Sequence, residues 1–193
     1  MRLGARVEQH LNNDMKKASL LILGAARSGK SSFAQRLAEN SGKQPVLIAT
    51  AEAYDVEMAV RIDKHKAERG ANWHVVEEPR ALASALRRAA APEAVIVVDC
   101  LTLWLSNVML AGGDCDAEAD LLANQIGALS GSVIFVSNEV GAGIVPDNAL
   151  SRSFRDAHGR LNQKLAAACE TVVLVAAGLP LVLKPAPAPN LVV

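Results

Sequence analysis

The sequence predicts an α/β fold, in which a mostly parallel sheet carries helices on both faces and ends in an antiparallel hairpin. Short apolar segments rich in valine and isoleucine alternate with longer helical patterns, as in parallel sheets with right-handed crossovers. The chain has 193 residues, of which 51% are hydrophobic and 3% are aromatic. Side chains of Ala, Val, Leu and Ile suit helices that pack on a sheet within one domain.

Six apolar segments are predicted to be strands, because continuous apolar runs of this length are typical of strands buried on both faces. They cover residues 19–24, 45–50, 73–77, 94–99, 132–137 and 171–176. The predicted helices cover residues 30–40, 54–69, 79–91, 101–111, 116–130 and 147–169. Only Ala177 and Gly178 separate the last strand from the apolar segment 179–183. This connection is too short for a parallel crossover and therefore predicts the hairpin.

One folded domain is expected, over residues 19–184. Residues 1–18 are polar and are predicted to form a flexible extension, while residues 185–193 form a Pro-Ala tail that cannot join a central strand. The 20 basic residues balance the 20 acidic ones, so the charge does not indicate binding to nucleic acid. No apolar run reaches the roughly 20 residues of a membrane span, and the first residues lack the apolar core of a secretory signal.

The three cysteines, Cys100, Cys115 and Cys169, show no metal-ligand spacing. They fit free thiols in a reducing compartment, with Cys100 and Cys169 packed in the core. The sequence therefore predicts a cytoplasmic protein.

A phosphate-binding motif follows the first predicted strand directly. Residues 24–31 read GAARSGKS and match the Walker A pattern in full. Glycines let the backbone wrap closely around phosphates, Lys30 is expected to reach the β and γ oxygens, and Ser31 is expected to ligate Mg²⁺. The motif predicts a P-loop nucleoside-triphosphate site with contacts from Gly24, Ala25, Ala26, Arg27, Ser28, Gly29, Lys30 and Ser31.

Asp99 ends the predicted strand 94–99. A carboxylate at the carboxyl end of a buried strand suits a second contact to magnesium or to the nucleotide. The alternative is an N-cap for the following helix, a role that Asp also serves well. The context of the phosphate motif favours the active-site role, although both roles can coexist.

Histidine is the residue type that suggests chemistry beyond phosphate binding. On the predicted helix 54–69, the i, i+4 spacing stacks Arg61, His65 and Arg69 along one stripe. An anionic ligand would relieve their repulsion, and cationic neighbours lower an imidazole pKa, which leaves a neutral nitrogen available as a nucleophile. From the spacing alone, a solvated basic helix face is the favoured explanation. His158 lies close to other arginines and competes for the same role, so the pattern by itself does not choose.

Four segments of the chain read GAARSGKSSFAQRLAE, VLIATAEAYDVEMAVRIDKHKAERG, VVDCLTLWLSN and VSNEVGAGIVPDNALSRSFRDAHGRLNQKLA. Together they resemble the bifunctional adenosylcobinamide kinase/adenosylcobinamide-phosphate guanylyltransferase family of cobalamin synthesis. The resemblance runs from about Leu20 to Lys184. The P-loop is shared with many enzymes, whereas the second and fourth segments in this order are specific to the family.

The resemblance implies a two-step enzyme. It would phosphorylate the aminopropanol hydroxyl of adenosylcobinamide with ATP or GTP, then take GMP from GTP onto a histidine and pass it on to give adenosylcobinamide-GDP. The guanylylated histidine of the family lies in an RI-x-x-H-[KR] segment, which makes His65 the match and gives His158 no catalytic role. The family also implies a homotrimer.

The resemblance also implies nucleotide contacts outside the P-loop. They fall on Ala49, Thr50 and Ala51 after the second strand, on Lys66, Ala67, Glu68 and Arg69 after the histidine, and on Glu77 and Asp99. The chain departs from the family at Ala25, where many relatives have a second glycine, and at Asp99, where some have Glu. A methyl group is a small addition, so the phosphate loop is expected to keep its shape.

Two alternatives differ from this interpretation in their chemistry. A plain P-loop small-molecule kinase would lack the nucleotidyl step, with His65 as a phosphate contact only. A nucleotide-binding regulatory switch belongs to another class, but switch GTPases usually read guanine through an Asn-Lys-x-Asp sequence after a strand. The corresponding strand here leads into Ser137, Asn138 and Glu139 instead. The NEVGAGIVP loop, residues 138–146, is predicted to face the substrate, since it follows a strand end.

Overall fold

Seven strands form a single sheet in the computed structural model, which describes Leu11 and residues 18–52 and 72–185. The strands are β1 (Ser19–Gly24), β2 (Gln44–Ala49), β3 (His74–Glu77), β4 (Ala94–Asp99), β5 (Ser132–Asn138), β6 (Thr171–Ala176) and β7 (Leu179–Lys184). Their order across the sheet is β3-β2-β4-β5-β1-β6-β7. All pairs are parallel except β6 with β7. The predicted parallel sheet with a terminal hairpin is confirmed.

Five α-helices connect these strands in the described residues: α1 (Lys30–Glu39), α2 (Leu82–Ala89), α3 (Leu101–Leu110), α4 (Cys115–Gln125) and α5 (Ala149–Ala168). The single helix predicted over 116–130 is wrong at its carboxyl end, because α4 gives way to a 3₁₀ turn, Ile126–Ala128. Gly127 has a low helix propensity, and Leu129 is already extended and buried. The predicted helix 54–69 lies outside the described residues.

Side chains that alternate along the inner strands pack into two separate cores, one on each face of the sheet. Leu20 and Ile22 of β1 belong to a cluster with α1, whereas Leu21 and Leu23 belong to a cluster with α2 to α5. This is the period of two expected of a strand, and it places helices on both faces as predicted. Leu11 and Ala18 are also buried on the α1 side. The rest of the predicted extension 1–18, and residues 186–193 of the predicted tail, lie outside the described residues.

The buried cysteines behave as expected from the sequence. Cys100 and Cys169 are 8% and 1% exposed, and Cys115 is half-buried. Burial raises the pKa of the Cys100 thiol to about 11 and that of Cys169 to about 12. The described helices include none that is long and apolar enough to cross a membrane.

Candidate nucleotide site

The phosphate loop joins β1 to α1 through a tight turn. Ser28 N–H donates to the Ala25 carbonyl at 3.2 Å, and Gly29, the N-cap of α1, has φ 95°. That left-handed conformation is open to glycine and strained for most other residues. No side chain within the described part of the chain caps α1, so its first N–H groups remain available to an anion. Ala25 is exposed, and its methyl group is accommodated as expected.

Lys30 is the charged residue buried in this loop. It is 9% exposed, and its Nζ donates to the Ala25 carbonyl at 3.2 Å. Burial lowers the pKa of Lys30 below 10.5, while the nearby Cys100 and Asp99 act in the opposite direction. A buried ammonium held by a neutral carbonyl gains strongly from an anionic partner. The geometry therefore suits triphosphate oxygens at this position.

Three predicted site residues align at the carboxyl ends of neighbouring strands. Ala49 of β2 pairs with Glu77 of β3 on one side and with Asp99 of β4 on the other. Glu77 is exposed and Asp99 is partly buried. The alternative role of Asp99 as an N-cap is wrong, because Cys100 occupies that position in α3 and makes no side-chain cap bond.

Hydrogen bonds of Thr50 join the end of β2 to the end of β4. Its side chain is fully buried, and Oγ1 donates to the Cys100 carbonyl at 2.7 Å while accepting from Cys100 N–H at 2.8 Å. The Thr50 N–H donates to the Asp99 carbonyl at 3.3 Å. Ala51 follows in a partly buried position. The predicted contacts at 49–51 and at Asp99 therefore form one rigid edge beside Lys30.

A polar clamp on α3 holds this edge, and sequence reasoning missed it. Asn107 is 3% exposed, and its Nδ2 donates to the carbonyls of Thr50 at 2.8 Å and Pro79 at 3.1 Å. Trp104 Nε1 donates to the Arg80 carbonyl at 2.8 Å. An asparagine inside the apolar run LTLWLSNVML was the available signal, since a buried amide needs partners.

The clamp makes a testable prediction for Asn107→Leu. The substitution keeps the bulk but leaves the Thr50 and Pro79 carbonyls without this donor, which is expected to cost about 1–3 kcal/mol of unfolding free energy. Nucleotide affinity should fall as well, because the segment 49–51 loses its support. Urea unfolding and nucleotide titration measure the two effects. Ser106→Ala, on the same helix, should change neither, and wild-type values for Asn107→Leu would contradict the clamp.

The tip of the terminal hairpin contacts the phosphate loop, a second feature that the sequence analysis missed. Gly178 N–H donates to the Ser28 carbonyl at 2.8 Å. A Cβ atom on Gly29 would lie 3.3 Å from the Gly178 Cα. Ala177 and Gly178 have φ of 50° and 78°, as the two-residue hairpin turn requires. The hairpin therefore buttresses the loop from the side away from Asp99.

Several predicted residues lie outside the described part of the chain. They are His65, the predicted guanylyl acceptor, and the predicted contacts Lys66, Ala67, Glu68 and Arg69. The described residues bring together the P-loop, the segment 49–51, Glu77 and Asp99 at one edge of the sheet. His158, the competing histidine, is fully buried away from solvent.

A match to a family model shows which family the chain belongs to. The family model described as cobinamide kinase / cobinamide phosphate guanyltransferase matches residues 20–183. The chain belongs to this family. The resemblance seen in the four sequence segments is thereby confirmed.

Curated relatives of the family cover most of the chain. It is 49% identical over 169 residues to the bifunctional adenosylcobalamin biosynthesis protein CobP of Pseudomonas aeruginosa, covering 86% of this chain and 98% of the relative. It is 39% identical over 175 residues to the bifunctional adenosylcobalamin biosynthesis protein CobU of Salmonella typhimurium, covering 83% and 96%. Both relatives are matched over nearly their whole length.

Solved structures outside the family share the fold. The RadB recombinase has a TM-score of 0.51 at 14% identity, covering 83% of this chain and 74% of that one. The flagellar accessory protein FlaH from Methanocaldococcus jannaschii has a TM-score of 0.52 at 12% identity, covering 90% and 78%. These likenesses concern the fold alone.

Proposed function

We propose that this chain phosphorylates adenosylcobinamide with ATP or GTP and then transfers GMP from GTP, through a guanylyl-histidine, to give adenosylcobinamide-GDP. The observation that carries the proposal is the buried Lys30 in a complete phosphate loop, within a chain that matches the family model over residues 20–183. The relatives from Pseudomonas and Salmonella are named bifunctional adenosylcobalamin biosynthesis proteins, and the family description names the kinase and the guanyltransferase.

In the kinase step, the chain's task is to hold and polarise the triphosphate. Lys30 and the N–H groups at the start of α1 stabilise charge on the β and γ oxygens. The Ser31 hydroxyl and the Asp99 carboxylate, which lie at the carboxyl edge of the sheet, would supply the hard oxygen ligands that Mg²⁺ prefers. Magnesium bound there would neutralise phosphate charge.

In the guanylyl step, a neutral nitrogen of His65 attacks the α-phosphorus of GTP. The new P–N bond replaces the bond to the bridging oxygen, and pyrophosphate leaves with the electron pair. A phosphate oxygen of adenosylcobinamide phosphate then attacks the same phosphorus and releases the imidazole. Cationic side chains stabilise the leaving group, a role that we assign to Lys66 and Arg69, with further nucleotide contacts from Ala67, Glu68 and Glu77.

The loop that follows β5 is proposed to contact the corrinoid. Ile144 and Val145 are 97% and 63% exposed, and Leu150 at the start of α5 is 57% exposed. The loop begins beside the phosphate loop, because Glu139 N–H donates to the Gly24 carbonyl at 3.1 Å. Exposed apolar side chains next to a polar site suit a large ligand with both an apolar rim and a hydroxyl to be phosphorylated.

This assignment predicts the kinetics of Ile144→Asp. A carboxylate on the apolar loop should raise the KM for adenosylcobinamide at least fivefold, while the KM for GTP stays near the wild-type value. The fold should be unaffected, since the side chain is solvent-exposed. Steady-state kinetics with each substrate varied in turn measure the effect, and Leu121→Asp, an exposed position on α4, is the control. Equal changes in both KM values would contradict the assignment.

The function itself is tested with the purified chain and two labels. Incubation with adenosylcobinamide and γ-labelled GTP or ATP should give labelled adenosylcobinamide phosphate. Addition of unlabelled GTP should then release pyrophosphate and give adenosylcobinamide-GDP. Phosphorylation without pyrophosphate release would favour the plain kinase, and nucleotide binding with neither product would favour the regulatory switch.

The proposal extends to assembly and location. The chain is proposed to form a homotrimer, in which a neighbouring subunit closes the corrinoid site. It is also proposed to work in the cytoplasm, where triphosphates are available and free thiols stay reduced. Light scattering at micromolar concentration should return three times the mass of the 20.3 kDa chain. A monomer mass would remove the trimer and leave the phosphate site untouched.

A further inference from the structure

A buried polar network lies where α3, β5 and α5 meet, directly beside the phosphate loop. His158 of α5 is 0% exposed, and its Nε2 lies 3.0 Å from Thr102 Oγ1 and 3.3 Å from Ser137 Oγ. Ser137 Oγ donates to Asn162 Oδ1 at 2.7 Å. Asn162 Nδ2 donates to the Asn138 carbonyl at 3.1 Å. Four of the five side chains in the network therefore satisfy one another.

The hydrogen bonds assign the tautomer of His158. The Ser137 hydroxyl proton is used by Asn162, so Ser137 Oγ can act only as an acceptor towards the imidazole. Asn162 Nδ2 also faces His158 Nδ1 at 3.5 Å, which makes Nδ1 an acceptor. Nε2 then carries the proton and shares it between Ser137 and Thr102. Burial lowers the pKa of His158 to about 4, although the charge of Glu139 acts in the opposite direction. The imidazole is therefore neutral and has a structural role.

Asn138 is the residue that this network holds in place. Its backbone N–H donates to Thr102 Oγ1 at 3.0 Å, and its carbonyl accepts from Asn162. In the sheet register it pairs with Gly24 of the phosphate loop. Strand β5 lies between β1 and β4, which ends at Asp99, so Asn138 lies at the strand end between the Walker motif and that carboxylate.

The side-chain oxygen of Asn138 has no such partner among the described residues. Its Oδ1 is buried and makes no hydrogen bond within the described residues. Buried amide oxygens in native proteins are nearly always paired, so an unpaired one at a fixed position beside a binding site suits a donor on a bound ligand. The kinase substrate brings such a donor, because the group to be phosphorylated is a hydroxyl.

We infer that Asn138 Oδ1 accepts a hydrogen bond from the acceptor hydroxyl and orients it for attack, an inference that rests on the proposed function. The hydroxyl oxygen forms a bond to the γ-phosphorus as the bond to the β–γ bridging oxygen breaks. The electron pair leaves with the nucleoside diphosphate, and the hydroxyl proton passes to a phosphate oxygen. Asn138 takes no proton. Its role is to orient the acceptor hydroxyl in the phosphorylation step. The transfer of GMP to histidine involves no such hydroxyl and should not depend on Asn138.

The test compares the two half-reactions in Asn138→Ala and Asn138→Ser. Loss of the amide should lower the kcat for phosphorylation by tenfold or more, while the rate of guanylyl-enzyme formation from GTP stays within twofold of wild type. The serine variant, which keeps an oxygen, should recover part of the lost kcat. Single-turnover assays with γ-labelled and α-labelled GTP separate the two steps.

Thr102→Val is the matched structural perturbation, because it removes the support of the Asn138 backbone and leaves the amide. It should lower the Tm and affect both half-reactions to a similar degree. The inference is overturned if Asn138→Ala slows both steps equally or leaves phosphorylation within twofold of wild type. A wild-type chain that shows neither half-reaction would instead refute the proposed function.

Discussion

Lys30→Ala is expected to abolish phosphorylation and guanylyl transfer together. The ammonium is buried in the phosphate loop and serves the same triphosphate oxygens in both reactions. Its removal should lower each rate by a hundredfold or more, on the order of 3 kcal/mol of transition-state stabilisation. The fold should persist, because a desolvated charge contributes little to stability. Steady-state assays of each step and a thermal melt measure these effects.

Lys43 provides the control for this substitution. It precedes β2 at the opposite end of the sheet, and burial lowers its pKa as it does for Lys30. Its Nζ donates to Ser132 Oγ at 3.0 Å. Lys43→Ala should therefore keep both activities. Retention of either activity near the wild-type level in Lys30→Ala would contradict a shared phosphate site.

His65→Ala is expected to separate the two activities. The variant should lose guanylyl transfer by a thousandfold or more, because the covalent intermediate needs the imidazole nitrogen as its nucleophile. Phosphorylation of adenosylcobinamide should continue, since Lys30 and Asp99 remain. Assays of cobinamide phosphate and of pyrophosphate release measure the two products. Loss of both activities in a folded variant would instead make His65 a contact of the shared triphosphate.

His158→Ala is the matched histidine control. The His158 side chain is fully buried, with both ring nitrogens facing polar partners on α3, β5 and α5. It has no open position for a guanylyl group. The variant should be less stable, but guanylyl-enzyme should still form in the folded fraction. The structure thus places His158 in a buried polar network, and the proposal assigns it no catalytic role.

Much of the fold follows from local patterns in the sequence. The strands β1, β4 and β6 have the predicted bounds, because continuous runs of Val, Ile and Leu leave few alternatives in a parallel sheet. Only two residues separate β6 from β7, which is too few for a parallel crossover, so the sequence predicts the hairpin. The end of α4 was missed because burial of Leu129 and the low propensity of Gly127 override a helical pattern.

Sequence patterns predicted those site residues that carry recognisable functional groups. They did not predict the residues whose role depends on how distant parts of the chain pack together. The Walker motif and Asp99 carry recognisable groups at strand ends. The Asn107 clamp on Thr50, the contact of Gly178 with Ser28 and the network around His158 join residues far apart in sequence. The periodic pattern of apolar residues cannot predict such contacts, because each contact depends on how the strands are ordered in the sheet.

The central claim is that His65 carries GMP, and labelling with GTP marked at the α-phosphate tests it most directly. Denaturing electrophoresis of the wild-type chain should show a covalent label that is lost in acid and kept in base, as a phosphoramidate requires. His65→Ala should carry no label, and His158→Ala should still carry it. A label that survives in His65→Ala and disappears in His158→Ala would contradict the account.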